Sequence, residues 1–215
     1  MKIIYIIFFY NLILQIYKNL VKFILEVIFM KIPVGVSNRH VHLTKEAYEY
    51  LFDGKEIEKR NDLNQIGEFA STDTVDLVYN GKTIEHVRVL GPFRSYNQIE
   101  LLGEDLKFLE LDAPTRRSGD LNNTPGITLK NGNKTLYIDH GVIRAERHVH
   151  VPADRENELG LHERDIVQID TPNITFTAMV KVSDNGYFEI HIDKDEAKEY
   201  GITNGDIVEG HLCGK

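Results

Sequence analysis

The chain has one cysteine, Cys213, two residues from its end. A single thiol cannot close a disulfide within one chain, which fits a reducing cytoplasm. A zinc site would therefore have to draw on histidines and carboxylates. Positive charge is also short: 25 Lys and Arg stand against 33 Asp and Glu, a formal charge of −8. A nucleic-acid surface wants the opposite sign, so no nucleic-acid partner is expected, although local arginines can still hold small anions. The apolar run Ile3–Tyr10 is too short to span a bilayer. Neither a Gly-x-x-x-x-Gly-Lys-Ser/Thr loop nor a dinucleotide glycine pattern occurs, which leaves nucleotide triphosphate and nicotinamide sites with little support. A Gly-x-Ser-x-Gly nucleophile elbow is missing too. Tryptophan is absent, and nothing follows from that.

What is present is ordinary in bulk and unusual in pattern. A chain of 215 residues, 42% hydrophobic and 27% charged, is long enough for one or two domains with real cores. Arg39-His40-Val41-His42 returns as Arg147-His148-Val149-His150. In an extended strand residues i and i+2 share a face about 7 Å apart, so each copy offers a metal two imidazoles. A third strand, Phe188 to Asp193, alternates and carries Glu189, His191 and Asp193 on one face. Neutral imidazole suits zinc, and Glu100 is a reasonable oxygen ligand. His86, His140, His162 and His211 stand alone in hairpins or turns and read as surface or capping residues. Arg94 follows a Gly-Pro turn, close in sequence to Glu100. It reads equally as half of a surface salt bridge or as a clamp for phosphate or carboxylate. Arg88, Arg116 and Arg117 share that ambiguity.

Many short strands and few short helices organise the rest. Ile32 to Ser37 reads as a strand, Thr44 as the N-cap of a helix over Glu46–Leu51 that ends at Gly54, and Lys55–Gln65 as loop. Thr74–Tyr79 and Thr83–Leu90 flank Asn80-Gly81, a strong two-residue hairpin signal, and a second hairpin is expected across Asn131-Gly132. Near the C-terminus Leu159-Gly160-Leu161 to Val167 is echoed by Tyr200-Gly201-Ile202 to Val208, each a helix end, a glycine cap and a strand beginning Asp-Ile-Val. These patterns point to a mainly β fold of barrels or sandwiches, with a pseudo-symmetric small barrel at the C-terminal end. Residues 1–30 differ: polar positions Asn11, Gln15, Lys18, Asn19, Lys22 and Glu26 trace a stripe on an amphipathic helix. A secretory signal fits poorly, because the basic start is one lysine and no small-residue cleavage site follows. A membrane-surface or partner-docking helix, translation from Met30, and a membrane anchor are the three readings.

Taken together, Val34-Gly35-Val36-Ser37-Asn38-Arg39-His40-Val41-His42-Leu43, Leu90-Gly91-Pro92-Phe93-Arg94-Ser95, Gln98-Ile99-Glu100, Ser118-Gly119, Thr124-Pro125-Gly126-Ile127, Arg147-His148-Val149-His150 and His191-Ile192-Asp193 resemble, in order, the phosphate propanoyltransferases of the PduL type. The resemblance runs from about Ile32 to the C-terminus. It implies exchange of acyl-CoA (propanoyl-CoA, or acetyl-CoA) and phosphate for acyl phosphate and coenzyme A. It also implies two Zn2+ ions per chain and two small β-barrel domains capped by short helices. The first domain, 31–38 with 147–215, would be interrupted by the second, 39–146, with 1–30 as an N-terminal extension. By similarity His40, His42 and Glu100 hold a first zinc that takes the coenzyme A sulfur, and His148, His150 and His191 a second, completed by water. Arg94 would bind phosphate, and Val36, Ser37, Asn38 and Arg88 would contact coenzyme A. Lys82 is a nearby candidate for the family's CoA-contacting lysine, and Lys198 stands where the family has an asparagine contact. Some members carry a short amphipathic peptide that directs them into a bacterial microcompartment, a fourth reading of residues 1–30. A homo-oligomer is compatible with all of this.

Three rivals belong to other classes. Gly35, His40, His42, Glu46 and Gly54 nearly trace a cupin metal motif, but the glycine spacings are off by one and the second Arg-His-Val-His is left over. A non-catalytic, zinc-stabilised shell or scaffold protein would keep the metal without releasing thiol from acyl-CoA. An amidohydrolase barrel needs more than 215 residues.

Overall fold

A computed structural model describes residues 13–21, 29–184 and 186–213. The fold is mainly β, and its strands fall into two groups with separate cores. Six strands close a barrel in the order β1 (Met30–Ser37), β14 (Glu189–Asp193), β11 (His148–Pro152), β13 (Thr175–Ser183), β12 (Ile166–Asp170) and β15 (Ile207–Leu212). The stretch between β1 and β11 forms a nine-stranded sheet. Its strands are β2 (His40–His42), β3 (Lys59–Asp62), β4 (Phe69–Tyr79), β5 (Lys82–Gly91), β6 (Gln98–Glu100), β7 (Thr115–Arg116), β8 (Ile127–Asn131), β9 (Lys134–Ile138) and β10 (Val142–Ala145). Their path, β7-β10-β6-β2-β5-β4-β8-β9 with β3 paired to β4, curves as a half-barrel and stays open at β7 and β9.

Alternation decides which way the histidines point. Val149 and Val151 of β11 are buried with Val180, Ile190 and Ile32 in the barrel core. Their strand neighbours His148 and His150 therefore lie on the outer face. In the same way Val41 of β2 packs with Val89, Ile99 and Leu77, while His40 and His42 take the other face. Tyr48 and Leu51 of helix α2 (Lys45–Leu51) close that second core.

Several local expectations are met for the stated reasons. Thr44 caps α2, its hydroxyl accepting from Ala47 N at 3.1 Å. Asn80 and Gly81 have φ of 48° and 72°, the left-handed pair that a tight hairpin turn needs. Gly160 and Gly201 end α4 (Glu156–Leu159) and α5 (Lys194–Tyr200) at φ of 64° and 70°. After them, Asp165 and Asp206 accept from the backbone N–H of His162 and Thr203 at 2.9 and 2.7 Å, so the echo is a repeated turn. One expectation fails: Lys55–Gln65 is not all loop, because Lys59–Asp62 adds β3 as an edge strand beside β4. Its exposed polar side chains carry no burial pattern by which a strand is recognised.

Of the amphipathic helix at the start, residues 13–21 (α1) are helical and exposed, with Ile13, Ile16, Tyr17 and Leu20 open to solvent. Residues 1–12 and 22–28 lie outside the described residues. No described helix is long and apolar enough to cross a membrane.

Candidate metal centre and active site

The two Arg-His-Val-His strands occupy matching places. In each, the first histidine faces a third donor directly across an antiparallel pairing: His40 opposite Glu100 on β6, and His148 opposite His191 on β14. One donor atom from each of His40, His42 and Glu100 lies within 4.8 Å of the other two, and the same holds for His148, His150 and His191. The parallel extends to the helices. Three residues after Glu100 begins α3 (Gly103–Leu109), and three after His191 begins α5. The third residue of each helix binds the arginine before the histidines: Arg39 Nε donates to Asp105 at 2.8 Å, and Arg147 Nη1 to Glu196 at 2.7 Å. A readable signal was there, in Ile99-Glu100-Leu101 followed by Glu104-Asp105 against Ile190-His191-Ile192 followed by Asp195-Glu196.

Backbone carbonyls orient the leading rings. His40 Nδ1 lies 2.8 Å from Asn38 O, and His148 Nδ1 lies 2.8 Å from Glu146 O. A carbonyl only accepts, so Nδ1 carries the proton and Nε2 presents a lone pair, the usual outer-shell support of a metal ligand. His148 Nε2 and His150 Nε2 stand 3.0 Å apart. Nδ1 of His42 and of His150 is buried with no protein partner. Converging lone pairs, orphaned ring nitrogens and an all-N/O donor set fit a zinc-like ion.

The two groups differ electrostatically. Burial, with the positive side chains around them, pushes His148 down to about 4, His150 to about 2 and His191 to about 3, so all three are neutral near pH 7. His42 falls well below its ordinary value for the same reasons, burial first. Burial opposes charge on both His40 and Glu100, yet their mutual attraction across 3.3 Å wins: His40 is raised, and Glu100 is held well below the carboxylate range. The first group thus carries a carboxylate, and the second is three neutral imidazoles.

Arg94 lines the same cavity as both groups. Its backbone N–H bonds Leu43 O at 3.0 Å, which ties it to the end of the first histidine strand. Nη2 donates to Glu68 at 3.0 Å and Nη1 to Ser118 Oγ at 3.1 Å. Gln98 Nε2 donates to Ser118 Oγ and Glu100 at 2.8 and 2.6 Å, linking the partners of Arg94 to the first donor group. A cavity of about 350 Å³ is lined by both donor groups, Arg94, Val36 and Ser37. Asn38, Arg88 and Lys82 do not line it. Asn38 accepts from Arg39 N, Arg88 donates to the carbonyls of Ser71 and Thr72, and Lys82 pairs with Glu110 at 2.8 Å. Lys198 is exposed, 3.9 Å from Glu104. A wider hollow of about 510 Å³ beside Tyr50 and Tyr137 holds none of these groups. The residues missed by sequence reasoning are Glu68, Lys181 and Tyr187, while Glu189 shares the His191 face as expected. The Tyr187 ring stacks on His150 at 4.7 Å, and Asn64 Nδ2 donates to Glu189 at 2.9 Å.

A profile of the phosphate propanoyltransferase family matches residues 33–203, a span that contains both donor groups and Arg94. The chain belongs to the phosphate propanoyltransferase family. It is 38% identical to a phosphate propanoyltransferase of Limosilactobacillus reuteri over 181 residues, 81% of this chain and 84% of that protein. Its likeness to the Thermotoga maritima protein of that name is 39% over 183 residues, 82% and 87% of the two chains. The Salmonella typhimurium protein, also a phosphate propanoyltransferase, is 39% identical over 178 residues, 80% and 85%. This is an acyltransferase family, and α1 precedes the matched span.

Proposed function

We propose that the chain transfers an acyl group, propanoyl first, between coenzyme A and phosphate, with zinc held at both donor groups. The observation that carries this is the meeting of two three-donor groups and one arginine fork in a single cavity. Transfer begins when a phosphate oxygen attacks the thioester carbonyl. The carbon–oxygen bond forms, the carbon–sulfur bond breaks, and coenzyme A leaves as the thiolate. Bound zinc would supply Lewis-acid charge for the developing thiolate and oxyanion. Arg94 presents a planar donor fork that orients phosphate for attack, and Glu68 and Ser118 hold that fork in place. His40, His42 and Glu100 would hold one ion, and His148, His150 and His191 the other. Val36 and Ser37, at the rim of β1, are placed to meet the coenzyme A end of the substrate. No protein nucleophile is needed, in keeping with a lone cysteine outside the cavity.

On this reading residues 31–38 with 147–215 are one domain and 39–146 the other, with the reaction between them. Residues 1–30 take no part in the chemistry; the exposed apolar positions of α1 support a docking role, and a microcompartment shell is the partner that suits a member of this family. The test is free-thiol release from propanoyl-CoA by zinc-loaded protein, with and without phosphate. Phosphate-dependent release is expected. Its absence would remove the transferase reading and leave a scaffold that merely keeps zinc.

A further inference from the structure

One cation in the cavity is uncommitted. Lys181 lies on β13 beside His150, its partner in the parallel β11–β13 pairing, so its side chain shares the outer barrel face with the second donor group. Among the described residues it makes no side-chain hydrogen bond and no ion pair. The carboxylates within electrostatic reach are already engaged, Glu68 by Arg94 and Glu100 by His40. The repeat makes this lysine conspicuous: in the matching parallel pairing of β2 and β5, the residue beside His42 is Leu90. A half-buried ammonium without a counter-charge is costly unless an anion completes it. Burial accordingly pushes Lys181 below the ordinary lysine range.

We propose that Lys181 is a second phosphate-binding cation, closing on the transferred phosphate opposite Arg94. This rests on the transferase reading above. Near pH 7 phosphate carries between one and two negative charges, and part of the Arg94 fork is already taken by Glu68, so phosphate oxygens are left for a second side-chain cation to meet. Lys181 contributes a point charge on a flexible stem, able to follow the phosphate oxygens as the carbon–oxygen bond forms. The acyl-CoA carries phosphates of its own, so the experiment must separate the two sources.

Steady-state kinetics on zinc-loaded wild type, Lys181→Met, Lys181→Gln and Lys181→Arg separates them, with zinc content and thermal midpoint measured in parallel. In both neutral variants the KM for inorganic phosphate is expected to rise at least about 10-fold. The KM for propanoyl phosphate should rise with it in the reverse direction, while that for propanoyl-CoA stays within about two-fold. Lys181→Arg should recover most of the loss, which a packing role would not produce. A loss falling on propanoyl-CoA, unchanged constants in the neutral variants, or an arginine variant as impaired as methionine would each overturn the assignment. A wild type without phosphate-dependent thiol release would overturn the transferase reading and this assignment with it. An active wild type with an unaffected Lys181→Met overturns this assignment alone.

Discussion

Which nitrogen of each leading histidine faces the cavity is decided by a carbonyl two residues upstream. That device is repeated, and so are the consequences of removing a ligand. Because Glu100 and His191 sit on different sheets, Glu100→Gln and His191→Ala should each lower bound zinc by one ion per chain, measured by elemental analysis, and leave the other ion in place. Loss of both ions from either variant would contradict two separate sites. Arg94→Ala leaves both donor groups intact. It should keep its zinc and lose turnover by about 100-fold or more, the scale expected for a charged donor aimed at reacting oxygens. Undiminished turnover would make Arg94 a surface ion pair after all.

At the scale of elements, Gly35 explains how β1 serves the second donor group while sitting in the barrel. A Cβ there would collide with the Glu189 carboxylate and come to 3.0 Å from His191 Cδ2. Gly35→Ala should fold, weaken zinc binding at the second group by about 10-fold or more, and spare the first. Equal weakening at both would refute a local cause. Much of this element structure was legible. The paired histidines, the Asn80-Gly81 turn and the Gly160 and Gly201 caps each leave a short-range signature. Edge strand β3 left none, because its exposed side chains follow no burial period. Glu68 and Lys181 were illegible for another reason. Glu68 lies just ahead of β4 and finds Arg94 only through folding. Lys181 alternates correctly as an outward residue of β13, and only the packing of the second sheet over that face turns outward into a lined cavity. Lys82 and Arg88 show the converse: suitable residue types that register turned toward Glu110 and the β4 backbone.

At the scale of the whole molecule, polar bonds link sheet and barrel. Arg144 Nε donates to Asp193 at 2.7 Å, Arg117 Nη2 to Glu163 at 2.7 Å, and Asn64 to Glu189 at 2.9 Å. The same junction buries histidines that prefer to be neutral. With His148, His150 and His191 depressed below 6.5, the unfolded chain binds more protons as pH falls. Stability of the metal-free protein is therefore full above about pH 6.5 and is lost as pH drops toward the folded values near 4 and below. Thermal scans from pH 7.5 to 4.5 should show a falling midpoint, about 2–4 °C per kcal/mol for a chain of this size. A flat profile would mean these rings are not buried neutral. Removal of residues 1–29 should leave turnover unchanged, since the family match begins at residue 33. A large loss of rate would bring α1 into the chemistry.

The central claim is acyl transfer to phosphate at a junction shared by both donor groups and Arg94. It is tested most directly by incubating zinc-loaded protein with propanoyl-CoA and phosphate, trapping acyl phosphate with hydroxylamine, and counting free thiol in the same sample. One hydroxamate per thiol is predicted from wild type, and both products about 100-fold or more slower from Arg94→Ala. Thiol release without hydroxamate would mean hydrolysis rather than transfer, and would contradict the account.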